Sequence, residues 1–312
     1  VQRILVRPET LAFAFIGVML LAGSVYSANF LSATYLLQQL QVASFLGIIA
    51  SGAMIVILLG HIDLSIPWVV TVGGMMSTAA AGWWDPALAL PFGVLCGLLV
   101  GLVNGLGVAF LRIPSMIFTL GINAVAQGLM VLHTGGFAPQ DRATPFMHWL
   151  SVERSLLGIP NALFVWLIVG SAVAAILGRT PLGRYIYAIG NREAVAYLSG
   201  VDTRGVLVVC FAISGACSAL AGVLLAGYSE KAYQAMGDAY LLPAIAAVVL
   251  GGTNILGGRG TYLGTIAGVI LIGLLQSILS VMQMPEAGRQ IIYGSVIIAM
   301  LLVYGRGIRV HG

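Results

Sequence analysis

The chain has 312 residues, of which 60% are hydrophobic and only 8% charged, and its mean hydropathy is +1.03. An ordinary soluble domain carries roughly 25% charged residues, so a soluble globular protein is excluded and a mostly helical integral membrane protein is expected. The net charge of +4 comes almost wholly from arginine, with Lys231 the single lysine; in so apolar a chain it encodes orientation rather than nucleic-acid binding.

Apolar windows of about 20 residues fall near 11–29, 39–59, 66–82, 87–111, 115–133, 160–178, 206–227, 240–256, 261–281 and 288–304. They predict an all-α membrane protein, a polytopic bundle of about ten transmembrane helices in one domain over residues 1–312, with cytoplasmic N- and C-termini. That threading puts Arg3, Arg7, Arg112, Arg179, Arg184, Arg192, Arg204, Arg259, Arg306 and Arg309 inside, against Arg142, Arg154, Lys231 and Arg289 outside. The asymmetry is the one expected when basic loops stay on the cytoplasmic side. A start at Val1 rather than methionine is consistent with a trimmed N-terminus, and the first apolar window has no clear signal-peptide cleavage site. Glycine, at 41 residues, is about twice its usual share and suits close helix–helix approach in lipid. Cys96, Cys210 and Cys217 all lie in apolar runs, which argues against a disulfide framework.

Polar residues stand out against this background. Asp63, in GHIDLS, is the carboxylate nearest an apolar core, and with Ser65 and Pro67 it marks a broken helix start. Two roles suit it, a helix cap or part of a transport path; His61 beside it reads as a structural histidine. Thr119, Asn123 and Gln127 repeat every four residues and Ser115 extends them, so one face of a helix carries a polar stripe. Such a stripe either lines a watery path for a hydroxylated solute or supplies interhelical hydrogen bonds. Asn104 and Asn254 are further polar candidates for the path. The main periplasmic loop, about 134–159, holds Asp141, Arg142, Glu153 and Arg154, and a second outer loop holds Glu230 and Lys231, mixed charge that suits a soluble docking partner or a solvated connector.

The region about 179–205 is a polar island of 27 residues with four arginines, Glu193 and Asp202. Asn191 is placed to cap a short helix whose first turn contains Arg192 and Glu193, with Leu198 on its apolar side and Gly200 as a left-handed stop. A helix of two turns is not stable alone, so it leans on the membrane domain or on a partner. The glycines of GGTNILGGRG invite a phosphate-loop reading, but no lysine follows them and ATP-binding machinery is therefore not expected here. A short Gly-rich echo links LLGHIDLSIPW with VLGGTNILGGRGT.

In order along the chain, GHIDLS, VNGLGVAFLRIPSMIFTLG, TPLGRYIYAIGNREAVAYLSGV and AIAAVVLGGTNILGGRGTYLGT resemble four segments of one family. It is the permease subunits of bacterial ABC importers of the ribose, arabinose, xylose and autoinducer-sugar type. Two departures are local: His61 replaces a usual glycine, and Ile66-Pro67 stands where Val-Gly is common. The resemblance implies a multi-pass protein of the bacterial inner membrane and a transport subunit rather than an enzyme. It further implies a second permease chain, a cytoplasmic ATPase that holds ATP and Mg on its own polypeptide, and a periplasmic sugar-binding protein. No cofactor is expected in this chain, and Asn191, Glu193 and Gly200 would belong to the coupling region that meets the ATPase. The reading kept beside it is an ion-coupled secondary transporter of a small neutral solute, for which Asp63 is the one candidate coupling group.

Overall fold

The computed structural model describes residues 8–26 and 28–306; Arg3, Arg7 and Arg309 lie outside the described residues. Among the described residues twelve α-helices follow one another: α1 Pro8–Tyr26, α2 Ala33–Leu58, α3 Ile66–Trp83, α4 Ala89–Leu111, α5 Ser115–His133, α6 Pro145–Val152, α7 Asn161–Arg179, α8 Pro181–Leu198, α9 Thr203–Tyr228, α10 Leu241–Leu250, α11 Tyr262–Val281 and α12 Glu286–Arg306. Single 3-10 turns lead into α2, α4 and α10. Among the described residues there is no strand, and six helical segments are long and apolar enough to cross a bilayer: Ala33–Leu58, Pro86–Leu111, Ser115–His133, Asn161–Arg179, Thr203–Tyr228 and Tyr262–Val281.

The core is built on α2 and α9. From Ala43 to Leu58 every residue of α2 is buried, and α9 packs against α2, α3 and α4. Backbones come close because glycines line the seams. Gly97, Gly101 and Gly105 of α4 face Gly215, Phe211 and Val208 of α9, and a methyl group at Gly105 would stand 2.6 Å from the Val208 Cα. Small residues at a four-residue spacing let two helices pack where lipid supplies no hydrophobic drive.

Three segments differ from the expectation. The window 240–256 is not one crossing, because α10 ends at Leu250. Ten residues rise about 15 Å, half of a 30 Å hydrocarbon core. Gly252, at φ +90°, stops it: its N–H donates to Val249 O at 2.9 Å and the Thr253 N–H to Val248 O at 3.2 Å, a left-handed glycine stop. The region 134–159 is not all loop but contains α6, whose Met147 is fully buried and whose Ser151 O accepts from Gln41 Nε2 at 2.7 Å. The third difference, in α8, belongs to the site.

Candidate functional site

The centre of interest is the break between α2 and α3. The glycine stop that ends α10 recurs here: Gly60, at φ +82°, donates to Ile57 O at 2.9 Å and the His61 N–H to Val56 O at 3.2 Å. The sequence echo is thus a repeated helix ending. Past it, Asp63 is only 3% exposed. Its Oδ1 accepts from the Ser65 N–H at 3.0 Å and from the Ser65 hydroxyl at 2.6 Å, and its Oδ2 accepts from the Ser214 hydroxyl of α9 at 3.2 Å. Asn104 of α4 donates Nδ2 to Ser65 Oγ at 2.8 Å, which leaves its buried Oδ1 without a donor. The break itself and α9 therefore converge on one carboxylate whose partners are all neutral, and α4 joins them through Ser65.

Amides freed by a break inside a membrane protein need acceptors from elsewhere, and α5 supplies them. The N–H of Ile62 donates to Ser115 Oγ at 3.3 Å, that of Leu64 to Thr119 Oγ1 at 2.9 Å, and that of Trp68 to Asn123 Oδ1 at 3.3 Å. The polar stripe on α5 is thereby directed at the backbone of the break. Gln127, one turn further, is exposed and outside this set. Asn254 is also apart: its Oδ1 accepts from the Leu256 N–H at 3.1 Å and its own N–H donates to Arg259 O at 2.8 Å, so it shapes the turn after α10.

The polar island folds as α8, which is longer than a two-turn helix and kinked at Arg192 (φ −159°, ψ 102°). Asn191 does not cap the second part; its Nδ2 donates back to Tyr187 O at 2.9 Å, and extended Arg192 takes the cap position instead. Gly200 does stop the helix, at φ +84°, with its N–H on Tyr197 O at 3.0 Å and the Val201 N–H on Ala196 O at 3.1 Å. Between residues 191 and 200 only Ala196 is buried. Asn191, Arg192, Glu193 and Gly200 are exposed, and the apolar Tyr197 and Leu198 are 68% and 83% exposed.

Glycines that sequence reasoning did not single out tie this segment to the break. The Gly258 N–H donates to Leu58 O, the last carbonyl of α2, at 2.9 Å. Gly190 packs against both: a Cβ there would lie 2.5 Å from Gly258 N and closer still to Leu58 O. Also missed was a pocket of about 480 Å³ lined by His61, Arg112, Glu193, Tyr197, Thr203 and Arg204. The Arg204 guanidinium lies 5.5 Å over the Phe110 ring. Burial pushes the pKa of His61 below its ordinary value, and the Glu193 carboxylate partly offsets this.

At the opposite end of the bundle, the two charged loops meet. Arg142 and Lys231 form an antiparallel bridge, and the Ala143 N–H donates to Glu230 O at 2.9 Å. Asp141 lies beside this bridge on a pocket of about 510 Å³, and Glu153 and Arg154 follow α6, exposed. Among the described residues no group of three or more His, Cys, Asp or Glu side chains is placed to hold a metal ion.

No solved structure matches the chain. It is 33% identical to the ribose import permease protein RbsC of Haemophilus influenzae over 300 residues, 94% of this chain and 92% of that protein. RbsC of Bacillus subtilis is 33% identical over 296 residues, 93% of this chain and 91% of that protein. The autoinducer 2 import system permease protein LsrC of Yersinia pestis is 32% identical over 311 residues, 96% of this chain and 85% of that protein. With residues 35–301 matching its profile, the chain belongs to the family of membrane transport proteins described as the branched-chain amino acid transport system permease component.

Proposed function

We propose that the chain is the membrane-spanning subunit of an ATP-binding-cassette importer for a monosaccharide or sugar-like solute. It resides in the bacterial inner membrane as a multi-pass protein, with about ten membrane-embedded helices, both termini in the cytoplasm and residues 179–205 on the cytoplasmic face. It pairs with a second permease chain. An ATPase, which carries ATP and Mg, grips the exposed segment from Asn191 to Gly200 through Arg192, Glu193 and Leu198. A periplasmic binding protein docks on the paired loops that carry Asp141, Arg142, Glu153, Arg154, Glu230 and Lys231. The path passes the polar break of Asp63, Ser65 and Asn104.

One observation carries this reading: in a chain related to ribose and autoinducer importers, an exposed kinked helix joins the break around Asp63 by bare backbone contact. A nucleotide-driven movement at the helix thus has a direct mechanical route into the membrane domain. The test is uptake by proteoliposomes holding the chain with its ATPase and binding protein. Sugar should accumulate only with ATP and all partners present. Uphill uptake by the chain alone on a proton gradient would overturn the reading in favour of an ion-coupled carrier.

A further inference from the structure

Three stretches that are far apart in sequence meet without intervening side chains. They are α8 just before its kink, at Gly190, the break after α2 at Leu58–Gly60, and the loop between α10 and α11 at Gly257–Gly258. Besides the Gly258-to-Leu58 hydrogen bond, a Cβ on Gly257 would stand 2.7 Å from Gly60 N and 3.0 Å from Gly190 O, and one on Gly258 would stand 2.8 Å from Asn191 Oδ1. Gly257 and Gly258 have φ of +90° and +74°, so the loop's course there suits glycine alone. A side-chain bond pins the same loop to α8 one turn back, where the Tyr187 hydroxyl donates to Gly260 O at 2.9 Å.

We propose that Gly190, Gly60, Gly257 and Gly258 form a rigid joint that carries the displacement of the ATPase-facing segment into α3 and α10 together. The proposal rests on the importer function given above and names the residues that do the transmitting. A contact through side chains can yield by changing rotamer, whereas backbone packed on backbone has no such freedom and passes a displacement on. The input lies next to the joint, since the kink at Arg192 begins the exposed segment two residues beyond Gly190. The outputs lie next to it as well. Gly60 is three residues from Asp63, which is bonded to the start of α3, and the glycine loop follows directly from the end of α10. Gly190 and Gly258 are thus positioning residues that touch no solute.

The test uses the complete transporter in proteoliposomes with D-ribose as the solute. Ala188→Cys and Arg259→Cys, both at exposed positions flanking the joint and outside the segment from Asn191 to Gly200, are joined by a short reducible bis-maleimide in a Cys96→Ala background. A rigid joint keeps ATP-driven uptake after linking at roughly the level before it. Uptake that is lost on linking and restored by reduction means that the joint must open, which overturns the proposal. In parallel, Gly190→Ala should lower sugar imported per ATP hydrolysed by about tenfold, within the range of coupling between distant sites, while the complex still assembles and hydrolyses ATP. An unchanged ratio in that variant counts against the joint. Absence of ATP-driven uptake in the unmodified complex would instead refute the importer reading for this sugar.

Discussion

Replacing Asp63 by alanine strips the acceptor from three buried donors, the Ser65 N–H, the Ser65 hydroxyl and the Ser214 hydroxyl. Each buried donor left unsatisfied costs about 1–3 kcal/mol. Two of the three have partial relief: Ser214 can turn its hydroxyl toward a carbonyl of its own helix, and Asn104, whose buried Oδ1 has no donor, can flip its amide to accept from the Ser65 hydroxyl. The Ser65 amide has none, so the expected net loss is about 2–4 kcal/mol. Asp63→Asn is the informative partner variant. It retains one acceptor oxygen for Ser65, offers an N–H₂ toward Ser214, and removes a carboxylate that no cation faces, because the one ion pair among the described residues is Glu286–Arg289. It should remain within about 1 kcal/mol of the parent. For large domains 1 kcal/mol shifts the midpoint by about 2–4 °C, so alanine should lower thermal unfolding in detergent by roughly 4–16 °C and asparagine by no more than about 4 °C. Equal damage from both would show that the charge, and not the acceptor geometry, is what the fold requires. The same pair bears on mechanism: a carboxylate that couples ions cannot be neutralised without loss of transport, whereas a structural acceptor can.

Thr119→Val orphans the Leu64 amide and should destabilise the purified protein by about 1–3 kcal/mol, with Thr119→Ser close to the parent; the unfolding midpoints of the two compare them directly. Gly200→Ala places a Cβ in a left-handed residue at an exposed helix end, which costs about 1–2 kcal/mol locally. Its larger effect should be weaker capture of the ATPase in pull-down, with the membrane level of the chain unchanged. For His61 the folded state disfavours the charged imidazole, so its contribution to stability is complete above its ordinary value near 6.5 and is lost as pH falls below it. Unfolding midpoints between pH 7.5 and 5.5 should therefore fall less in His61→Gln than in the parent. They should fall more steeply in Glu193→Gln, which lacks the one carboxylate that favours the charged ring.

Much of this was legible in the sequence, for reasons that particular residues make plain. Apolar length marked the crossing segments because burial in lipid leaves few other choices, and the arginines with Glu193 marked the segment that became α8. Gly200 was readable as a stop because left-handed backbone selects glycine locally. Asn191 was misread as a cap because capping depends on the backbone angles at Arg192, and Gly190 two residues before it packs on Leu58 and Gly258, chain that is remote in sequence. The end of α10 was missed for a related reason: hydropathy averages across Gly251 and Gly252, while the hydrogen bonds that stop the helix do not.

The stripe on α5 shows most clearly where sequence reasoning ends. Its four-residue period showed that Ser115, Thr119 and Asn123 share a face. It could not show that their partners are main-chain amides about fifty-five residues upstream. That pairing changes what the stripe does. Ser115, Thr119 and Asn123 complete a broken backbone, and sliding α5 past α3 would orphan three amides at about 1–3 kcal/mol each. The cost of that motion is comparable with the stability of a whole domain. Helices α3 and α5 are therefore held as one unit on that seam. The side of α5 that carries exposed Ile117, Leu120, Val125, Leu129 and Leu132 has no such bonds to break, and relative movement is far cheaper there.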